Sequence, residues 1–113
     1  MLFRSNTAVG AAALQSSTGG YNNTAIGRYS LLYNTGNNNT AVGSLSLFCN
    51  TASANTAVGF CSLRSNTTGT FNTAIGYKSL VSNTIGARNV AIGQTSLFQN
   101  TTDRKSTRLN SSH

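Results

Sequence analysis

Two thiols, Cys49 and Cys61, are the most reactive side chains in residues 1–102 of this 113-residue chain. Everything else that moves protons or binds metal is missing there: no His, Asp or Glu precedes Asp103, and the one histidine is His113. General acid–base pairs, His-based triads and His/carboxylate metal sites all need those groups. The stretch also lacks the GxxxxGK[ST] loop that cradles phosphates. The two cysteines have two readings, a disulfide or reactive thiol on one side and two small, partly buried residues on the other, and the second is favoured. The chain is therefore read as non-enzymatic, with no catalytic, cofactor-binding or metal-binding residue and no cofactor. Asn-x-Thr sequons at Asn22, Asn38, Asn66 and Asn100 are expected by chance in so Asn- and Thr-rich a sequence. The aromatics Tyr21, Tyr29, Tyr33, Phe48, Phe60, Phe71, Tyr77 and Phe98 have the chemistry to stack on sugar rings or partner surfaces; packing between copies of the chain is the blander alternative.

These residues are positioned by a short repeat. Asn-Thr-Ala-(Val/Ile)-Gly starts at Asn6, Asn23, Asn39, Asn55 and Asn72, and Asn-Val-Ala-Ile-Gly at Asn89, with spacings of 17, 16, 16, 17 and 17 residues. A period this short means one small unit stacked many times. Counting the Asn as position zero, position two is Ala8, Ala25, Ala41, Ala57, Ala74 and Ala91, and position three is Val9, Ile26, Val42, Val58, Ile75 and Ile92. Position four is Gly10, Gly27, Gly43, Gly59, Gly76 and Gly93, and position eight is Leu14, Leu31, Leu47, Leu63, Leu80 and Leu97, preceded by Ala13 or Ser. Those four files are the candidate structural core. Position eleven is Asn after Ser17 in the first unit, and position twelve is always Thr, from Thr18 to Thr101. The extra residue of the longer units falls after that Thr, which marks a variable turn because loops tolerate insertion and paired strands do not.

Thr-Ala-Val-Gly alternates with period two, as a strand does. The Gly closes that strand in a conformation other residues avoid. A second short strand is expected to carry the Ser-Leu pair, with Asn-Thr and Gly-rich segments as turns. Sixteen residues holding Gly, Asn and several Thr make a poor helix, and the absence of Pro suits a chain whose N–H groups are used by neighbouring coils. The fold class is all-β: a parallel β-solenoid of six rungs, each about 4.8 Å above the last, with an Asn ladder along one edge. One Val/Ile and one Leu per rung is a thin core, so a further surface, most simply other copies of the chain, is expected to help.

The net charge of +7 invites a nucleic-acid reading. Arg28, Arg64, Lys78 and Arg88 occupy four different repeat positions, however, and three of the eight basic residues lie in residues 103–113, so no nucleic-acid partner is expected. Residues 103–113 resemble, along their whole length, the in-frame translation of a common short-read sequencing adapter. They break the repeat and are expected to be a non-native, disordered tail. Residues 6–102 form the six-repeat domain and residues 1–5 a partial repeat or cap. The chain thus reads as a fragment. Residues 4–14 make only a poor signal peptide, since Ala8 to Leu14 sit in repeat register, and no stretch is long enough to span a bilayer.

The N-T-A-I-G and N-V-A-I-G cores, followed by Ala/Ser-Leu and an Asn-Thr turn, resemble the head repeats of trimeric autotransporter adhesins (YadA-like) and similar arrays in phage tail fibres. Asn89-Val90-Ala91-Ile92-Gly93 is closest to the S-V-A-I-G core of that family; Thr stands for its Val in the other five units, and the units are longer. The resemblance implies a left-handed β-roll assembled as a homotrimer, with Val9 to Ile92 facing sister chains and Ala8 to Ala91 facing the interior. It implies an adhesive or structural role outside the cell, on a bacterial surface or virion, with a host receptor, matrix protein or glycan as ligand. An ice-binding solenoid is the alternative, because Thr7, Thr24, Thr40, Thr56 and Thr73 form a file that Val90 interrupts.

Overall fold

The computed structural model describes residues 5–104 and 106–109. Each repeat contributes one three-residue strand: β1 (Thr7–Val9), β2 (Thr24–Ile26), β3 (Thr40–Val42), β4 (Thr56–Val58), β5 (Thr73–Ile75) and β6 (Val90–Ile92), followed by β7 (Thr107–Leu109). They form a single parallel sheet in chain order, and equivalent repeat positions face one another: Ala25 is opposite Ala41, and Ala41 opposite Ala57. The fold is an all-β solenoid of about six turns, without a helix among the described residues.

Alternation along each strand decides what is inside. Ala25, Ala41, Ala57, Ala74 and Ala91 are fully buried together with Leu31, Leu47, Leu63 and Leu80, and these two files are the apolar core. Leu14 and Leu97 pack partly against it, while Ala8, on the first described rung, is exposed. The Val/Ile file points the other way and lies outside the core: Val9 is 56% exposed, Ile26, Ile75 and Ile92 38–39%, and Val42 and Val58 are half-buried.

The invariant Gly behaves as its file requires. Gly10, Gly27, Gly43, Gly59, Gly76 and Gly93 have φ between 120° and 131°. A Cβ on Gly43 would also sit 2.7 Å from the carbonyl carbon of Gly59 on the next rung, so both conformation and stacking exclude a side chain.

The Ser-Leu segment is not a second strand. The position-six residues, such as Tyr29 and Cys61, and all six leucines from Leu14 to Leu97 adopt φ of 49–64°. Right- and left-handed residues therefore alternate after the Gly and fold the chain back within a few residues. Ser30 N–H donates to the Gly27 carbonyl at 3.2 Å and Asn34 N–H to the Leu31 carbonyl at 3.3 Å, closing successive turns. The intervening N–H groups pair between rungs: Tyr29 with the Ala11 carbonyl, Leu31 with Ser46 and Tyr33 with Phe48, at 3.0–3.2 Å. A left-handed Leu costs about 1–2 kcal/mol. Burial of each leucine against the Ala file and the inter-rung bonds offset that cost.

Polar ladders fill the rest of the interior. Each position-zero Asn carboxamide oxygen accepts the backbone N–H of the next one: Asn23 from Asn39, Asn39 from Asn55 and Asn55 from Asn72, each at 2.9 Å. The position-eleven asparagines Asn34, Asn50, Asn66 and Asn83 are also fully buried, forming a second ladder in which Asn66 Nδ2 donates to Asn50 Oδ1 and Asn83 Nδ2 to Asn66 Oδ1, both at 2.8 Å. Asn55 Nδ2 cross-links the two through Asn50 Oδ1 at 3.3 Å. Beside them the invariant Thr hydroxyls reach up one rung, Thr51 Oγ1 donating to the Thr67 carbonyl at 2.8 Å. In the fourth and fifth units, both of 17 residues, the extra residue is accommodated here. Thr67, Thr68 and Gly69 all direct their N–H groups at one Thr84 carbonyl.

Residues 106–109 differ from the expected disordered tail. β7 pairs with β6 in the same register, Val90 opposite Thr107 and Ile92 opposite Leu109, and Ser106 N–H donates to Asn89 Oδ1 at 2.9 Å. An open parallel edge offers backbone partners to any extended segment, and residues 103–109 fall at the 17-residue offset that meets them. The side chains do not follow the repeat: Arg108 stands where the interior Ala would be, and it is exposed. Of residues 1–5, expected to be a partial repeat or cap, residues 1–4 lie outside the described residues.

Candidate functional site

No group of three or more His, Cys, Asp or Glu that could hold a metal occurs among the described residues. Cys49 is half-buried and Cys61 buried, and both are free thiols. Burial pushes the Cys61 thiol above its ordinary range, against the smaller opposing pull of Arg64 and Lys78. That is the reverse of what an activated nucleophile needs. A cavity of about 550 Å³ lined by Leu97, Phe98, Asn100, Asp103 and Arg108 lies where the sixth repeat gives way to residues 103–109. None of the helix-length apolar spans that cross a membrane is found among the described residues.

What the solenoid does display is two organised surfaces. The first is the outer face of the sheet. Because the central Ala of every strand points inward, the flanking Thr and Val/Ile point outward, and the register sets Thr24 beside Thr40 and Ile26 beside Val42. The result is two parallel outward rows, one hydroxyl-bearing and one apolar, running from β1 to β6 and changing only at Val90.

The second surface is built on the turns after the Gly. Here Tyr29, at position six of one rung, lies against Phe48, at position nine of the next, a neighbourhood the linear repeat does not reveal. Phe48 stands edge-on to both Tyr29 and Tyr33, with ring centroids 6.3 and 5.4 Å apart. The Arg64 guanidinium lies 5.7 Å from the Phe48 ring and the Arg28 guanidinium 4.6 Å from that of Tyr29. One rung on, Phe60 and Tyr77 stack at 5.7 Å with planes 19° apart, and the Lys78 ammonium is 5.3 Å from the Tyr77 ring. Arg88 sits over Phe71 in the variable turn, at 5.7 Å. The repeat's described basic residues thus occupy different positions in sequence, yet each is held against an aromatic ring. A shallow cleft of about 280 Å³ adjoins the first cluster, lined by Phe48, Cys49, Arg64, Ser65 and Thr67.

The sequons are sorted by the fold. Asn22 and Asn38 are exposed on turns, whereas Asn66 is fully buried in the second ladder. No family model matches the chain, and no curated protein or solved structure is significantly similar to it.

Proposed function

We propose that this chain is a non-enzymatic structural and adhesive repeat segment that assembles side by side as a homotrimer, forming a rigid shaft outside the cell, on a bacterial surface or a virion. The observation that carries this reading is the outward Val/Ile file, which stays in register from Val9 to Ile92 and is partly exposed on every rung. An apolar row of that length is uncommon on a chain that works alone. The apolar interior beneath it is only Ala and Leu, so covering the outer row adds hydrophobic burial that one chain lacks. The resemblance of the Asn-Thr-Ala-Ile-Gly unit to adhesin head and tail-fibre repeats supports three copies over two. Sedimentation equilibrium tests it: a mass three times the 11.8 kDa of the chain is expected, and a stable monomer would overturn the assembly reading.

A second reading rests on the other outward row. Thr7, Thr24, Thr40, Thr56 and Thr73 are adjacent in register on one sheet face, the regular Thr file that an ice-binding solenoid would use. Thermal hysteresis in a solution of the purified chain would favour it, and none is expected if the sheet face is covered by assembly through the Val/Ile row.

A further inference from the structure

We infer that the Phe48–Arg64 cleft is a subsite for an acidic sugar residue, a hexuronate unit of a polysaccharide. The inference deepens the adhesive reading by naming a ligand class for it, and its surface is separate from the strand face used for assembly. Three features of the cleft converge. Phe48, half-buried and packed in T-shaped contacts with Tyr29 and Tyr33, supplies aromatic surface against which the C–H face of a pyranose would rest. Arg64, exposed and 5.7 Å from that ring, supplies a planar fork matched to a carboxylate. Ser65 and Thr67 add hydroxyls on the same rim. The Thr67 hydroxyl donates to the Thr84 carbonyl at 3.2 Å, leaving its oxygen free to accept from a sugar hydroxyl.

Charge argues for an anion over a neutral sugar. Residues 1–102 hold no carboxylate side chain, so the guanidinium groups of Arg28 and Arg64 have no acidic side chain there to pair with. The Arg28 guanidinium donates to the Tyr29 hydroxyl at 3.1 Å, whereas that of Arg64 rests on a ring and makes no hydrogen bond among the described residues, leaving its donors for a ligand. Geometry argues for a polysaccharide over a nucleic acid. The cations are few and interrupted, with Arg28 on the second rung, none on the third, Arg64 on the fourth and Lys78 and Arg88 on the fifth, whereas a phosphate backbone calls for a continuous basic track. Tyr33, 51% exposed and one rung from Phe48, extends the platform along the solenoid axis, the direction in which a polymer would lie.

Cys49 lines the cleft and reports on it. In the full chain carrying Cys61→Ser, the rate of Cys49 alkylation by N-ethylmaleimide is measured with a short oligogalacturonate, a neutral malto-oligosaccharide of equal length and a DNA oligonucleotide. The expected result is slowing by oligogalacturonate alone. Arg64→Gln should weaken that protection about tenfold, as loss of a charge-assisted contact does, and Arg64→Lys by less. Tyr33→Ala should weaken it by a smaller factor, and Arg88→Gln, away from the cleft, should leave it unchanged. Far-UV circular dichroism of each variant, matched to that of the parent, reports the fold. No protection, equal protection by the neutral sugar, or equal protection by DNA would each overturn the inference. Sedimentation of the same samples separates the two readings: protection of a monomer would retain the sugar site and remove the trimeric shaft.

Discussion

The carboxamide oxygen of Asn39 accepts the backbone N–H of Asn55, one rung further on, at 2.9 Å. Its Nδ2 donates in turn to the Ala52 carbonyl at 2.8 Å and to Asn34 Oδ1 at 3.3 Å. One buried side chain therefore joins two rungs and both ladders. The Asn55 N–H depends on this link, whereas the Ala52 carbonyl and Asn34 Oδ1 also accept from Asn50 Nδ2. Asn39→Leu, of similar volume, would orphan the Asn55 N–H, while the Ala52 carbonyl would keep its bond from Asn50 Nδ2, and a loss of about 1–3 kcal/mol in urea unfolding is expected.

Asn39→Asp separates donor from acceptor at the same site. The oxygen facing Asn55 is kept, but a charged carboxylate would face the Ala52 carbonyl in a buried position. Burial and that carbonyl both favour the protonated acid, which can donate where Nδ2 did, so the folded pKa rises above the unfolded one. Stability of the variant is then greatest below the unfolded carboxyl pKa and falls as pH rises through the folded one. Urea midpoints between pH 3 and pH 7 should decline for Asn39→Asp. Midpoints for the parent should stay level over that interval.

Gly43 and Gly19 make a contrasting pair. Gly43 has φ of 127° and no room for a Cβ against the Gly59 carbonyl, whereas Gly19 is not in the positive-φ region and a Cβ there would meet only the Thr35 carbonyl oxygen, at 3.8 Å. Gly43→Ala is expected to destabilise by about 2 kcal/mol or more, since it meets both backbone strain and a fixed main-chain neighbour. Gly19→Ala should be neutral or slightly stabilising through the unfolded chain. Equal thermal midpoints for the two variants would contradict the stacking geometry.

The Gly at position four was readable from sequence because its residue type never varies and has one conformational meaning. The same holds for the stacking register and the small inward Ala. The left-handed turn was not readable. Position six holds Ala12, Tyr29, Leu45, Cys61, Lys78 and Thr95, none of which signals positive φ, and the leucines suggest only burial. Tertiary pairing between rungs selects that conformation against local preference. The position-eleven Asn reads naturally as a turn residue, and only the closed coil reveals that Asn50 and Asn66 are interior. The aromatic–cation cluster is likewise hidden, because Tyr29 and Phe48 meet across a rung boundary that spacing along one repeat does not show.

Cys61 links the interior to alkaline pH. Burial holds its thiol above the ordinary pKa in the folded chain, so between the unfolded and folded values the native state keeps a proton the unfolded state has lost. Stability is complete below the unfolded pKa and falls as pH rises through the folded one. Denaturant midpoints of the parent should drop from neutral to strongly alkaline pH more steeply than those of Cys61→Ser, in which the titrating group is gone. Parallel profiles would place the alkaline loss on other groups.

Val58 tests the assembly surface without touching the core. It projects outward between Val42 and Ile75 and is half-buried, while the adjacent Ala57 is the fully enclosed residue of that strand. A charge placed there meets water in a single chain but an apolar neighbour in a side-by-side trimer, where an unpaired buried charge is strongly unfavourable. Val58→Asp should therefore keep the circular dichroism spectrum of the parent while its sedimentation mass falls from three chains to one. Ala57→Asp should instead unfold the chain, because its carboxylate would enter the narrow interior between Ala41 and Ala74. If Val58→Asp remains an oligomer of unchanged mass, the Val/Ile row is not the contact, and the Thr row or the turns must hold the copies together.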